Sequence, residues 1–213
     1  MPRPLTLRPL EPDEVHVWRV DLSAQIDTSA LTPDEQQRAQ RFRRAADQRR
    51  FRGTRAVLRT ILGQYLEVRP DSLRFQYTES GKPFLDPPAI RFNVSHSGDR
   101  ALLAFTLQHD VGIDIEDLTM ERNIALLAKL VSLPETVQKE TFLKAWTRRE
   151  AAGKALGVGL SVSPSDFSDS SAWTLCNLDA GAGYAAAVAV RSPGIALRLW
   201  DWTTASGTVS SPV

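Results

Sequence analysis

Two short stretches hold charged residues at spacings that could do chemistry. In "FLKAWTRREAAGKALG" (142–157), Glu150 and Lys154 stand four residues apart. On a helix that spacing puts a carboxylate and an ammonium on one face. In "GIDIE" (112–116), Asp114 and Glu116 alternate with Ile113 and Ile115. On a strand, alternate side chains share a face, so both acids look one way and both isoleucines can enter a core. Two carboxylates on one face repel unless solvent or a cation lies between them. A hard divalent ion such as magnesium suits them, because it takes oxygen ligands and keeps waters and substrate phosphates in its shell. Taken singly, each stretch also has an ordinary reading. A D-x-E strand can be a wet acidic edge, and Glu150–Lys154 can be a surface ion pair worth ~0.2–1 kcal/mol.

Two further stretches supply polar groups. "GKP" (81–83) reads as a turn with Lys82 at its tip, followed by Pro83. "NVSHSG" (93–98) ends a strand with Ser95, His96 and Ser97. Ser95 and His96 are neighbours, so they point to opposite faces and do not form a nucleophile–base pair of the hydrolase type.

The elements that must position these groups follow from patterning. "VHVWRVDL" (15–22) alternates and reads as a strand. "LTPDEQQRAQRF" opens a helix with Thr32 as N-cap, Pro33 at the first helical position and Glu35 completing a capping box. The helical pattern continues in two pieces to about Leu66. Strands are expected at 73–78, 90–96, 100–107 and 111–118, helices at 122–131 and 136–156. Gly157 and Gly159 end the last helix. "WTLCNL", "YAAAVAV" and "IALRLWDW" read as three more strands. The small polar tail 204–213 is expected to be disordered. The pattern predicts an α+β fold of two intimately packed halves, residues 1–109 and 110–203.

Composition limits the classes. The chain has 213 residues, 42 % hydrophobic and 24 % charged, as expected of a soluble globular protein. No apolar run approaches the ~20 residues of a membrane span, and the N-terminus lacks the apolar core of a secretory signal. A single cysteine, Cys176, excludes an internal disulfide and a cysteine-rich metal site. These features point to a cytoplasmic protein. Net charge is only +1, yet the segment from Arg38 to Arg59 carries nine arginines against one acid, Asp47. Such a surface is either solvated or meets an anionic partner. A non-catalytic nucleic-acid-binding protein is therefore the alternative to an enzyme. It would bind oligonucleotides in a salt-sensitive way and without magnesium.

The arginine-rich helix, "GKP", "FNVSHSG", "VGIDIE" and "WTRREAAGK", in that order, resemble the Sfp-type 4′-phosphopantetheinyl transferases over roughly residues 31–163. The specific core of the resemblance is "GIDIE" followed downstream by W-[ST]-x-[KR]-E-A-x-x-K. It implies a single chain, monomeric, with two similar halves related by a pseudo-twofold. It implies transfer of phosphopantetheine from coenzyme A to a serine of an apo acyl or peptidyl carrier protein, giving holo-carrier and 3′,5′-ADP. No nucleic acid or membrane is involved. Asp114, Glu116 and Glu150 match the family's magnesium ligands. Glu150 matches the base for the carrier serine, and Lys154 a contact to the pyrophosphate. Arg38, Lys82, Pro83, Ser95, His96 and Asp114 match residues around the nucleotide, with Arg50 and Arg55 as further candidates. The sequence departs from the family in having Arg149 where lysine is common and Glu35 where some members carry lysine. Glu135 corresponds to a further family acid. The carrier served and the tolerance for acyl-CoA are not written in these motifs.

Overall fold

The computed structural model of the chain describes residues 7–79, 81–121, 124–167, 169 and 171–202. The expected tail 204–213 lies outside the described residues. The first sheet centres on β1 (Glu14–Asp21). β1 pairs antiparallel with β5 (Arg100–Thr106) and parallel with β9 (Ala196–Trp202), while β4 (Arg91–Ser97) flanks β5. β2 (Phe75–Tyr77) and β3 (Pro83–Leu85) form a short separate hairpin around the Lys82 turn. The second sheet has the order β6 (Val111–Asp117), β8 (Tyr184–Val190), β7 (Thr174–Leu178), all antiparallel.

Period-two alternation decides what each strand touches. Val15 and Val17 of β1, with Leu102 and Ala104 of β5, meet Val111, Ile113, Ile115, Ala186 and Val188 of the second sheet in one buried cluster. The opposite residues of the first sheet, Trp18, Val20, Leu103 and Phe105, pack on Val57, Leu58, Ile61 and Leu62 of helix α2 (Ala45–Tyr65). The opposite face of the second sheet carries Ala187 and Ala189 against Ala151, Ala152 and Ala155 of helix α4 (Lys139–Leu156). The arrangement is mixed α/β, with a helix outside each sheet. Helix α1 (Pro33–Gln40) precedes α2, and Thr32 N–H donates to Glu35 Oε2 at 3.1 Å, as a capping box requires. The region expected to be helical at 122–131 holds α3 (Ile124–Ala128) and a short 3₁₀ turn; Arg122 and Asn123 lie outside the described residues. Among the described residues no helix is long and apolar enough to cross a membrane.

Gly112 fixes the distance between α4 and β6. A Cβ there would collide with the Ala151 carbonyl and stand 2.5 Å from the Ala155 nitrogen. The glycine of "GIDIE" therefore lets the helix bearing Glu150 and Lys154 lie directly on the strand bearing Asp114 and Glu116. Gly157, with φ 75°, takes the left-handed conformation that ends α4.

One buried group away from these acids makes stability pH-dependent. His16 is 1 % exposed. It is hydrogen-bonded to Tyr65 Oη at 2.7 Å and Glu14 Oε2 at 3.2 Å, with Arg8 and Arg198 also on Glu14. Desolvation lowers its pKa to about 4, opposed by Glu14 and aided by the two arginines. The unfolded chain thus binds a proton more readily than the fold between about 6.5 and 4. Stability is fully present above that window and is lost as pH falls through it, by roughly 3 kcal/mol if this site acts alone. Denaturant midpoints measured from pH 7 to 4.5 should fall less steeply for His16→Asn than for the wild type. Equal slopes would assign the acid sensitivity to other groups.

Candidate active site

β4 and β6 run side by side, and side chains rather than a backbone ladder join them. Asn93 Oδ1 accepts the Ile113 N–H at 2.9 Å, and Ser97 Oγ accepts the Asp117 N–H at 3.0 Å. Between these, Ser95 Oγ donates to Asp114 Oδ1 at 2.9 Å. Lys154 reaches the same point from α4. Its Nζ donates to Asp114 Oδ1 at 2.7 Å, Ser95 Oγ at 3.0 Å and the Ile113 carbonyl at 3.1 Å. The other carboxylate oxygen, Asp114 Oδ2, is buried without a hydrogen-bond partner. Glu116 Oε2 receives Ser97 Oγ at 3.4 Å.

A cleft of about 400 Å³ opens over this junction. It is lined by Ser95, His96, Asp114 and Glu116, with Arg50, Phe51 and Phe42 from the α1–α2 side and Met120 from the other. His96 is exposed overall. Its pKa is nevertheless lowered, first by desolvation and then by the Lys154 and Arg50 cations. Glu150 sits beside the junction, paired with Arg149 Nη1 at 3.2 Å. Its pKa is raised, first by desolvation and then by the charge of Asp114. Glu116 adds to that effect, while Lys154 and Arg149 oppose it. The three acids named from sequence therefore act on one another. Among the described residues, no group of three or more His, Cys, Asp and Glu side chains is arranged as a ready cage for a metal. Hard carboxylate oxygens and the unpartnered Asp114 Oδ2 do fit magnesium of the kind held by one or two carboxylates plus substrate phosphates.

The other candidates are spread around this centre. Lys82 Nζ donates to the Lys154 carbonyl at 2.9 Å and the Val111 carbonyl at 3.2 Å, so it pins the last turn of α4 to the start of β6. Desolvation lowers its pKa, helped by Lys154 and opposed by Asp110. Lys82 and Pro83 line a neighbouring, largely apolar hollow of about 310 Å³ with Phe84, Ile90 and Ala155. Arg38 lies outside both spaces, its guanidinium over Phe51 and Tyr77 at 5.6 and 5.4 Å. Arg55 is buried against Phe75, 3.6 Å from Glu35. Glu35, besides capping α1, binds Arg59 at 2.6 Å. Arg49 and Arg50 share Asp99 at 3.0 Å. Four of the nine arginines of this segment, Arg49, Arg50, Arg55 and Arg59, thus pair with acids within the protein. Glu135 pairs with exposed Lys129 at 3.0 Å. Trp146 is buried against Phe142 and packs the helix. Asn93 and Ser97 belong to the "NVSHSG" stretch, but the sequence reading gives neither a role. The alternation that groups Asp114 with Glu116 also groups Asn93, Ser95 and Ser97, and it was the signal for them.

The cleft over convergent carboxylates and a lysine, at the join of two sheets, has the hard oxygens and the cation to receive a divalent ion and a phosphate. The description "4′-phosphopantetheinyl transferase, N-terminal" matches residues 18–108, and "4′-phosphopantetheinyl transferase superfamily" matches 110–207. The chain is 34 % identical to the 4′-phosphopantetheinyl transferase HetI of Nostoc sp., over 95 % of this chain and 98 % of that protein. It is 29 % identical to the 4′-phosphopantetheinyl transferase Sfp of Bacillus subtilis over 66 % of each. It is 30 % identical to the Xenopus laevis L-aminoadipate-semialdehyde dehydrogenase-phosphopantetheinyl transferase, over 61 % of this chain and 50 % of that one. The chain belongs to the 4′-phosphopantetheinyl transferase family.

Proposed function

We propose that this protein transfers 4′-phosphopantetheine from coenzyme A to a serine of an apo acyl or peptidyl carrier protein. The observation that carries this reading is the junction of Ser95, Asp114 and Lys154, with Glu116 and Glu150 beside it and a cleft above. In the reaction the serine Oγ forms a bond to the phosphorus that bears pantetheine. The bridging P–O bond breaks and 3′,5′-ADP leaves. The serine proton passes to Glu150, the acid at the edge of the cluster. A serine hydroxyl is a poor nucleophile without such a base. Asp114 and Glu116 are the carboxylates that would hold magnesium, with Glu150 as a further ligand. When bound, the ion supplies charge stabilisation on the transferring and leaving phosphates. Ser95 and His96 in the cleft, Lys82 and Pro83 in the neighbouring hollow, and Arg38 over Phe51 at the cleft's edge hold successive parts of the nucleotide. Lys82 spends two of its three N–H groups on carbonyls and has one for a phosphate oxygen.

The finer architecture belongs to the same reading. Residues 1–109 and 110–203 are two halves related by a pseudo-twofold, working as a monomer in the cytoplasm. Support comes from the likeness of the parts: each long helix, α2 or α4, lies against one sheet, and β4 and β6 meet at the seam, although β9 of residues 110–203 completes the first sheet. The test is the mass of a panel of apo carrier proteins after incubation with this protein, CoA and magnesium. A gain of one phosphopantetheinyl group on at least one carrier, lost on adding EDTA, is expected. Unchanged masses throughout, with salt-sensitive oligonucleotide binding, would favour the nucleic-acid reading instead.

A further inference from the structure

β4 carries polar residues where its sheet is buried. Asn93 stands opposite Ala104, and Ser95 opposite Leu102, on β5. Directly opposite residues share a face, and Leu102 and Ala104 look into the cluster between the two sheets. Apolar residues are the ordinary filling of such an inner face. Asn93 and Ser95 are nevertheless buried. A buried polar side chain costs stability unless it is hydrogen-bonded, so the partners of these residues are informative.

The partners lie on β6 and follow a fixed offset. Asn93 Oδ1 accepts the N–H of Ile113, and Ser97 Oγ that of Asp117, in both cases 20 residues on. β4 and β6 therefore run parallel at one register, although they belong to different sheets. Ser95, midway between, breaks the series. Its hydroxyl goes to the Asp114 carboxylate rather than to a main-chain N–H. The carbonyls of Val111 and Ile113 are likewise taken by side chains, those of Lys82 and Lys154. A backbone ladder would hold the two strands ~4.8 Å apart. An intervening side chain holds them farther apart, and the cleft walled by Ser95, His96, Asp114 and Glu116 opens over that wider seam. Ser97 has a second contact there, since its Oγ lies 3.4 Å from Glu116 Oε2.

We propose that Asn93 and Ser97 are struts that set the register and width of the β4–β6 seam. They thereby fix where Asp114 and Glu116 stand relative to Ser95 and His96. A buried donor left without its acceptor costs free energy, so sliding β6 along β4 is opposed on both sides of Ser95. Both struts are positioning residues, and their effect on transfer rests on the transferase reading above. Displacing reacting groups by ~1 Å can cost about 10²-fold in rate.

The test compares Asn93→Leu, Ser97→Ala and Ser97→Thr with the wild type in the full chain. Leucine matches asparagine in size without offering an acceptor, and threonine keeps the hydroxyl. The first readout is amide hydrogen exchange by NMR, without CoA or metal. Ile113 should exchange about tenfold faster in Asn93→Leu, and Asp117 in Ser97→Ala, while the amides of β8 keep their protection. The second readout is carrier loading per folded molecule, well below the melting temperature. In Asn93→Leu and Ser97→Ala, kcat should fall about 10–10²-fold at saturating carrier and magnesium. KM for CoA should stay within about threefold of the wild type. Ser97→Thr should recover most of the loss seen in Ser97→Ala. A lowered melting temperature with kcat of the folded fraction intact would make the role purely structural, and overturns the proposal. So does a raised KM at normal kcat, which would make these side chains nucleotide contacts. Unchanged exchange at Ile113 and Asp117 overturns it without reference to activity. If Asn93→Leu does not fold, the two variants at Ser97, a part-exposed position, decide. A wild type that loads no carrier sinks the transferase reading, and the exchange rates then still judge the struts.

Discussion

Glu150→Gln should lower the rate of holo-carrier formation by about 10²–10⁴ at saturating CoA, carrier and magnesium, the usual contribution of a positioned general base. The substitution keeps the size of the side chain and an oxygen for Arg149, which lies 3.2 Å from Glu150 Oε1. The fold should therefore survive, and the melting temperature should move little. The effect is expected because Glu150 projects from α4 on the face that also bears Lys154, within the electrostatic reach of Asp114 and Glu116. It is the acid of the cluster that lies on the helix rather than on the strand. A separate measurement divides its two candidate roles. A lost base lowers the maximal rate at saturating magnesium. A lost ligand raises the magnesium concentration needed for half-maximal rate. Transfer within about threefold of wild type at every magnesium concentration would remove Glu150 from the reaction.

Most of the elements were legible from local pattern. The strands at β1, β4 and β6 announce themselves by alternation, those at β5 and β8 by short continuous apolar runs, and α4 by its glycine stop at Gly157. Which strands would pair was not legible. β9 runs parallel to β1, placing Trp200 beside Trp18 although the two are far apart in sequence. Nothing in "IALRLWDW" encodes that partner, because the pairing is chosen by burial of both tryptophans against α2. β3 is too short, at three residues, to show any period.

The site was legible in its acids and less so in what surrounds them. Counting charge from Arg38 to Arg59 overstated the free positive surface. Two acids outside the window, Glu35 and Asp99, pair with four of those nine arginines. Cation–aromatic contacts, such as Arg55 over Phe75, also cannot be read along the chain. Similarly, the spacing of Glu150 and Lys154 correctly puts them on one face, but Lys154 takes its ion pair with Asp114, across the gap that Gly112 leaves between helix and strand.

That last contact changes what Asp114→Ala should do. From sequence alone, two acids on one strand face repel, and deleting one should leave stability unchanged or improve it in metal-free buffer. In the structure Asp114 is not an unpaired acid. It receives Lys154 at 2.7 Å and Ser95 at 2.9 Å, with its side chain 7 % exposed. Removing it leaves the ammonium with only neutral acceptors. A fully buried pair broken on one side costs ~3–5 kcal/mol. Lys154 is 28 % exposed, and water will recover part of that, so a loss of about 1–2 kcal/mol is expected. Transfer should be abolished as well, since the variant has neither Oδ1 nor Oδ2. Asp114→Asn separates the two effects. Its amide oxygen can still accept from Lys154 and Ser95, so it should melt closer to the wild type than the alanine variant does, yet it lacks the charged oxygen for magnesium and should be as inactive. Thermal melts in EDTA and carrier loading at ordinary magnesium check both statements. Asp114→Ala melting at or above the wild type would mean that repulsion from Glu116 and Glu150 outweighs the pair with Lys154. Near-normal loading by either variant would place the metal on other residues.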